Sequence, residues 1–213
     1  MINFFRFYFN NINDIFNAMQ THLFIFIIAL TGAIFFGIAL SIIITSEGRE
    51  KIGRVILSVM GAAQSIPSIV IISVVFIFVG IGIKPTIIAL VFYSLVPIIF
   101  NSTSGLLSVP HDVIDAGKGI GYTNSQILWK IKMPMALPVI MGGIRSSATI
   151  IIGSATAAAV IGGGGLGDFI FIGLRVHRIE MLLAGAVTVA ILALIIDTII
   201  SRIEARIVPK GLQ

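Results

Sequence analysis

Three groups of residues in this chain have types and spacings that could carry chemistry. The first is a polar interval that reads Asp115-Ala116-Gly117, then Gly121, then Ile131-Lys132-Met133-Pro134, flanked on both sides by long apolar runs. The second is a pair of ionisable residues, Arg145 and Asp197, lying deep within apolar stretches. The third is Gly162–Gly167, which matches the form G-x-G-x-x-G.

Each group is weighed against a simpler use. The glycine cluster would bind a dinucleotide only after a strand and before a helix in a βαβ unit. Here it trails a long apolar run, so a flexible connection, or a turn where helices approach closely, fits better. No G-x-x-x-x-G-K-[ST] occurs in the chain, so it is not expected to hydrolyse ATP. Cysteine is absent, which excludes disulfide frameworks, thiolate catalysis and thiolate-rich metal sites. No metal and no cofactor is expected. Arg145 and Asp197 are costly in lipid and should face a bundle interior or water. A mutual ion pair, which would be structural, competes with a role in substrate handling.

Lipid enters through the composition. Of 213 residues 57% are hydrophobic and only 11% charged, against about a quarter charged in a soluble domain. So few charges cannot cover a water-soluble surface. With about 20 apolar residues needed per spanning helix, the runs are His22–Thr45, Val55–Gly80, Thr86–Phe100, Ala136–Ile161 and Met181–Ser201. An all-α integral membrane protein of about five transmembrane helices is predicted. The run from His22 is too long for a signal-peptide core and lacks a clean cleavage site, so it reads as a retained span. Residues 1–20, with Phe4, Phe5, Phe7, Tyr8 and Phe9, read as an interfacial segment. Residues 21–207 form the transmembrane domain with a loop at about 101–135, and 208–213 a cytoplasmic tail.

The net charge of +5 fits retention of cytoplasmic loops rather than nucleic-acid binding. Arg49, Lys51, Arg54, Lys118, Lys130, Lys132, Arg202, Arg206 and Lys210 fall on one side, and Arg6, Lys84, Arg175 and Arg178 on the other. Nine against four places the N-terminus outside and the C-terminus in the cytoplasm.

Within the polar interval, Thr123 or Asn124 can cap a second helix with an apolar face of Ile127, Leu128 and Ile131, and Pro134 is expected to end it. Gly121 would supply the turn, where a side chain would crowd the backbone or forbid positive φ. Such a hairpin is a stiff knob, able to pass a soluble partner's motion to the spans.

These residues carry a resemblance. Permease subunits of binding-protein-dependent ABC importers have a cytoplasmic motif of the form EAA-x3-G-x9-I-x-LP. Asp115, Ala116 and Gly117 stand at its first three positions, and Gly121, Ile131, Met133 and Pro134 fall at its spacing. Asp for Glu, Gly117 for the second Ala and Met133 for Leu are the departures. Gln64-Ser65-Ile66-Pro67-Ser68, Tyr93–Ile99, Asp115–Gly119 and Gly163–Asp168 further resemble osmoprotectant permeases, those for glycine betaine, carnitine or choline. Methionine-importer permeases share the glycine segment and the coupling motif but not the Tyr93–Ile99 text. The resemblance implies a type I ABC importer permease fold in a bacterial cytoplasmic membrane. It also implies that the hairpin docks into an ATPase. The implied partners are two ATP-binding subunits, a second permease, identical or paralogous, and a substrate-binding protein on a separate polypeptide.

Pro67 and Pro97 interrupt apolar runs, as breaks do in many transporters, and with Gln64, Ser65, Ser68 and Tyr93 are candidates for lining a pathway. A static kink is the simpler use. Aromatic faces at Phe76, Phe78, Phe92, Tyr93 and Phe100 could attract a quaternary ammonium ion, though lipid contact or packing accounts for each singly. Small residues from Gly153 to Ala159 suit close helix packing. The rival readings are a self-sufficient secondary transporter or channel, and a membrane scaffold for a soluble enzyme; both leave the hairpin motif without a use.

Overall fold

The computed structural model describes residues 2–208, so the tail beyond Val208, Lys210 included, lies outside the described residues. Ten α-helices follow in order among those residues. They are α1 (Ile2–Asn10), α2 (Ile12–Ile44), α3 (Glu50–Ala63), α4 (Ser68–Val79), α5 (Ile83–Leu107), α6 (His111–Gly119), α7 (Asn124–Ile127), α8 (Met133–Ala158), α9 (Leu166–Arg175) and α10 (Ile179–Ile207). A π-turn, Leu128–Lys132, joins α7 to α8.

Four helical runs are long and apolar enough to cross a membrane: α2, α5, Asn124–Ile161 and α10. The pair α3 and α4, bent at Gln64–Pro67, makes a fifth if it is counted as one broken span. The expected run Val55–Gly80 is thus two helices: α3 stops at Ala63, and Pro67, which has no N–H to give, stands just ahead of the first turn of α4. The third run is longer than its hydropathy indicated. Helix α5 continues through Asn101, Ser102, Thr103 and Ser104 to Leu107, with Ser102 and Thr103 buried. Helix α2 begins at Ile12, so residues 12–20 belong to the first long helix.

Several hydroxyls inside these runs are satisfied by their own helix. Ser41 donates to the Gly37 carbonyl at 2.8 Å, Thr45 to Ser41 at 2.7 Å, Thr188 to Ala184 at 2.7 Å and Thr198 to Leu194 at 2.7 Å. Hydrocarbon offers no water to an unpaired polar group, so this back-bonding makes serine and threonine tolerable there. The large apolar side chains point outward: Phe35 is 68% exposed and Leu194 70%. That outward face accounts for the hydrophobic excess of the composition.

The chain divides into two compact units. One gathers residues 2–32, 66–94 and 148–198. In it Tyr8 hydrogen-bonds Thr188 at 3.1 Å, tying α1 to α10, and the Arg178 guanidinium lies over the Phe7 ring. The other gathers residues 33–65, 95–147 and 199–208. Its core is Leu106, Ala136 and Ile140, with Ile38, Ile42, Met133 and Ile144 against them. Glycines set the helix spacing there. A Cβ on Gly37 would lie 2.5 Å from Cγ2 of Ile98, and one on Gly143 would lie 3.0 Å from the Pro97 carbonyl oxygen. Helices approach this closely only where one of them carries no side chain.

Gly37→Val should therefore overpack the α2–α5 contact and cost about 1–3 kcal/mol. The check is a lower thermal midpoint in detergent, with Gly119→Ala, which meets no atom within 4 Å, leaving the midpoint unchanged or raised.

Candidate functional site

The polar interval folds as a hairpin of two helical arms. Pro110 precedes α6 and Asp112 sits in its first turn, with Lys118 in its last, both matching the helix dipole. The turn closes on Gly121, whose φ is +89°. The Gly121 N–H donates to the Lys118 carbonyl at 2.9 Å and the Tyr122 N–H to the Gly117 carbonyl at 3.0 Å. This bond pair is a Schellman closure, which requires a left-handed residue at the position of Gly121. A Cβ there would meet nothing within 4 Å, so backbone conformation and not crowding demands the glycine.

The second arm opens on a capping box. The Thr123 hydroxyl accepts from the Gln126 N–H at 3.3 Å, and the Gln126 side chain accepts from the Thr123 N–H at 2.9 Å. Contrary to expectation, Pro134 does not end this arm, which runs unbroken from Asn124 to Ile161. In the π-turn the Met133 N–H donates to the Leu128 carbonyl, five residues back. That shift of register just ahead of Pro134 lets the helix continue past a residue with no N–H.

The arms are locked by one contact. Gly117 is buried, and a Cβ on it would lie 2.6 Å from Cδ1 of Ile131 and 3.7 Å from Ile127. Ile131 thus lies directly over Gly117, with Ile127 buried beside it. The Lys130 ammonium sits 5.0 Å from the centre of the Tyr122 ring. Met133 packs against the Leu106–Ala136–Ile140 cluster and fastens the hairpin to the bundle, while Pro134 is half-buried. Asp115, Ala116 and Gly121 are exposed, as are Ile120 (71%) and Trp129 (58%). Within the seven-residue motif, Gly117, Ile131 and Met133 build the knob, and Asp115, Ala116 and Gly121 face outward.

Glu47 lies in the turn after α2. Its Oε1 accepts from the Lys118 ammonium at 2.8 Å. That bond and the Lys118 charge, with a hydrogen bond from Asn124 and the charge of Lys132, hold the Glu47 carboxyl below its usual range. A cavity of about 500 Å³ lies here, lined among others by Thr45, Arg54, Leu106, Asp115 and Lys132.

The remaining candidates are dispersed. Gln64, Ser65 and Pro67 are exposed in the break between α3 and α4, and Ser68 is half-buried at the start of α4. Tyr93 is half-buried and Pro97 buried in α5, where the Asn101 side chain donates to the Pro97 carbonyl at 2.8 Å. Arg145 on α8 and Asp197 on α10 are half-buried, and each has an interacting partner. Phe78 and Phe92 are exposed.

The glycine cluster is an ordered turn rather than a flexible connection. Gly162, Gly164 and Gly165 have φ of +77°, +73° and +78°. A Cβ on Gly163 would lie 2.8 Å from the Ala158 carbonyl oxygen and from the Thr86 hydroxyl, and one on Gly165 would lie 3.2 Å from His22. His22 is wholly buried, and neither ring nitrogen meets hydrogen-bond geometry, although the Ile152 carbonyl lies close enough to act on the ring. Partial burial raises the carboxyl of Asp168, in the first turn of α9, above its ordinary value.

Known proteins match this arrangement. Residues 33–209 match the family described as the binding-protein-dependent transport system inner membrane component. The chain belongs to that family. It is 40% identical over 192 residues to the glycine betaine/carnitine/choline transport system permease protein OpuCB of Bacillus subtilis (strain 168), covering 90% of this chain and 88% of that one. Identity is 38% to the choline transport system permease protein OpuBB of the same organism, over 90% of this chain and 88% of that one. It is also 38% to the carnitine transport permease protein OpuCB of Listeria monocytogenes, over 90% and 87%. Among solved structures, an inward-facing MetNI methionine ABC transporter chain superposes with a TM-score of 0.76 at 21% identity, over 89% of this chain and 94% of that one. An amino acid ABC transporter chain superposes at 0.66 and 15% identity, over 90% and 91%. The fold is that of type I ABC importer permeases, and the chain is a membrane transport component.

The Gly117–Ile131 contact makes a graded forecast. Gly117→Ala should be tolerated, since Cδ1 of Ile131 is the mobile end of a side chain. Gly117→Val should separate the arms at about 1–3 kcal/mol, read as a lower thermal midpoint in detergent for a permease that still inserts.

Proposed function

We propose that this chain forms the translocation pathway of an ATP-driven importer for osmoprotectants, small quaternary-ammonium solutes such as glycine betaine, carnitine or choline. The observation that carries the mechanism is the hairpin: a rigid two-armed knob with an outward Asp115, Ala116 and Gly121 and an unburied Ile120 and Trp129. The substrate class is supported by the 38–40% identical relatives, which are permeases of glycine betaine/carnitine/choline, choline and carnitine transport. The methionine transporter shares the fold at 21% identity, too distant to carry its substrate across.

In this reading two ATP-binding subunits each receive one hairpin from a pair of permeases. Closure of the ATPases on ATP moves the hairpins as rigid bodies. The continuous helix Asn124–Ile161 carries that displacement into the bilayer, turning the pathway from inward- to outward-facing. A separate substrate-binding protein delivers cargo on the outer side. The turn after α2, the hairpin and the C-terminus lie in the cytoplasm, and the N-terminus outside, as the excess of basic residues favours. The break at Gln64–Ser68 and the half-buried Tyr93 beside Pro97 are assigned to the pathway wall. On α8, Gly142, Ser146, Thr149 and Gly153 recur at helical spacing and are exposed. Small and polar residues in such a stripe suit a neighbouring helix or the pathway better than lipid, and we assign it to the second permease.

Reconstituted with its ATPase subunits and binding protein, the permease should take up labelled glycine betaine in an ATP-dependent way and leave methionine outside. Uptake without ATP, or of methionine alone, contradicts the reading. Gly121→Asp should insert normally yet lose transport and ATPase docking, dropping uptake at least about tenfold, because a side chain at φ +89° breaks the closure of the first arm. Normal uptake by that variant would count against the hairpin as the coupling element.

A further inference from the structure

We infer that Glu47 is a positioning residue for coupling, a strut that fixes the angle of the hairpin against the end of α2. The inference rests on the reading of the hairpin as the ATPase-docking element. Lys118 is the last charged residue of the first arm, and its ammonium meets Glu47 at 2.8 Å across 71 residues of sequence. Asn124, the first residue of the second arm, and Lys132, the last residue of the π-turn, also act on the same carboxylate. One side chain outside the hairpin therefore engages both arms and the point where the second arm enters α8. The other charged groups lining the adjoining cavity are Arg54, Asp115 and the titratable His111.

Glu47 itself stands on a fixed base. The turn that carries it is held by Thr45 donating to the Ser41 carbonyl at 2.7 Å, Ser46 to the Ile43 carbonyl at 2.9 Å, and the Arg49 N–H to the Ser46 carbonyl at 2.9 Å. Gly48 takes φ +79°, which brings the chain round into α3. Gly53 approaches the last carbonyl of α2, where a Cβ would lie 3.3 Å from the Ile44 oxygen. The backbone that carries the carboxylate is thus held in place, and from it the carboxylate reaches the lysine.

The pair is exposed, 46% at Lys118 and 55% at Glu47. Exposed ion pairs add little to folding stability, and the hairpin has its own lock at Gly117 and Ile131. The pair's effect is therefore on direction rather than on folding. Losing it leaves a folded knob free to swing, so nucleotide-driven motion is no longer passed fully to the spans.

The test uses the assembled importer in proteoliposomes and reads ATP hydrolysed per solute imported. Glu47→Lys places a cation against Lys118 and Lys132 and should assemble in wild-type amounts, yet raise that ratio roughly threefold or more, the size of change that mutations along a coupling network produce. Lys118→Glu should do the same. The double variant Glu47→Lys with Lys118→Glu restores the attraction and should recover at least half of the lost coupling. A wild-type ratio in Glu47→Lys, failure of the double variant to improve on the singles, or loss of assembly in Glu47→Lys would each overturn the inference. If the wild-type complex itself showed no ATP-dependent uptake, the docking role of the hairpin would fall, and this inference with it.

Discussion

In hydrocarbon a peptide group has no water to bond, and every feature of this chain answers to that constraint. It makes the spans helical and sends hydroxyls such as those of Ser41 and Thr188 back onto their own helix's carbonyls. Two prolines are handled differently. At Gln64–Pro67 the chain breaks outright and α4 starts anew at Ser68. At Pro134 a π-turn moves the bonding register and the helix goes on. The second arm of the hairpin is thereby one helix with the span, Asn124–Ile161, and in the proposed coupling it serves as the lever.

The hairpin works on a complementary principle: outside the bilayer, stiffness has to come from local geometry. Three devices supply it within a few residues. The Schellman closure at Gly121 ends the first arm, the Thr123–Gln126 box starts the second, and Ile131 seated on Gly117 presses the arms together. The departure from alanine at residue 117 acquires a reason here, since the missing methyl is the space that Cδ1 of Ile131 fills. What is left outward is a short apolar and acidic surface suited to a soluble partner.

The glycine cluster shows why a motif needs its context. G-x-G-x-x-G at 162–167 has the positive φ values that a phosphate-binding turn also uses. Yet the close neighbours of these glycines are Ile81 in the turn between α4 and α5, and Thr86, His22 and Thr156 of other helices in the same unit. The glycines let helices touch, and His22 is sealed behind them. This turn and the hairpin both use left-handed glycines, one to close a packed end and one to project a knob.

Much of this protein was legible along the chain. Hydropathy marked the spans, because lipid selects apolar residues one position at a time. The motif spacing marked Asp115 to Pro134, because a helical hairpin is built from residues close in sequence. Gly121 was legible for the same reason, since a turn is a local event. What the chain could not display are meetings between distant segments: Glu47 with Lys118 across 71 residues, Gly37 beneath Ile98 and His22 behind Gly165. The continuation past Pro134 and the helical stretch Asn101–Leu107 were hidden for a related reason. Proline and polar residues argue against a membrane helix by composition, and only a shifted hydrogen-bond register and burial among neighbouring side chains overrule them. Composition and spacing thus settled the kind of protein and located the hairpin. The third dimension decided which residues hold that part still, because a side chain's partner is set by packing and not by its place in the chain.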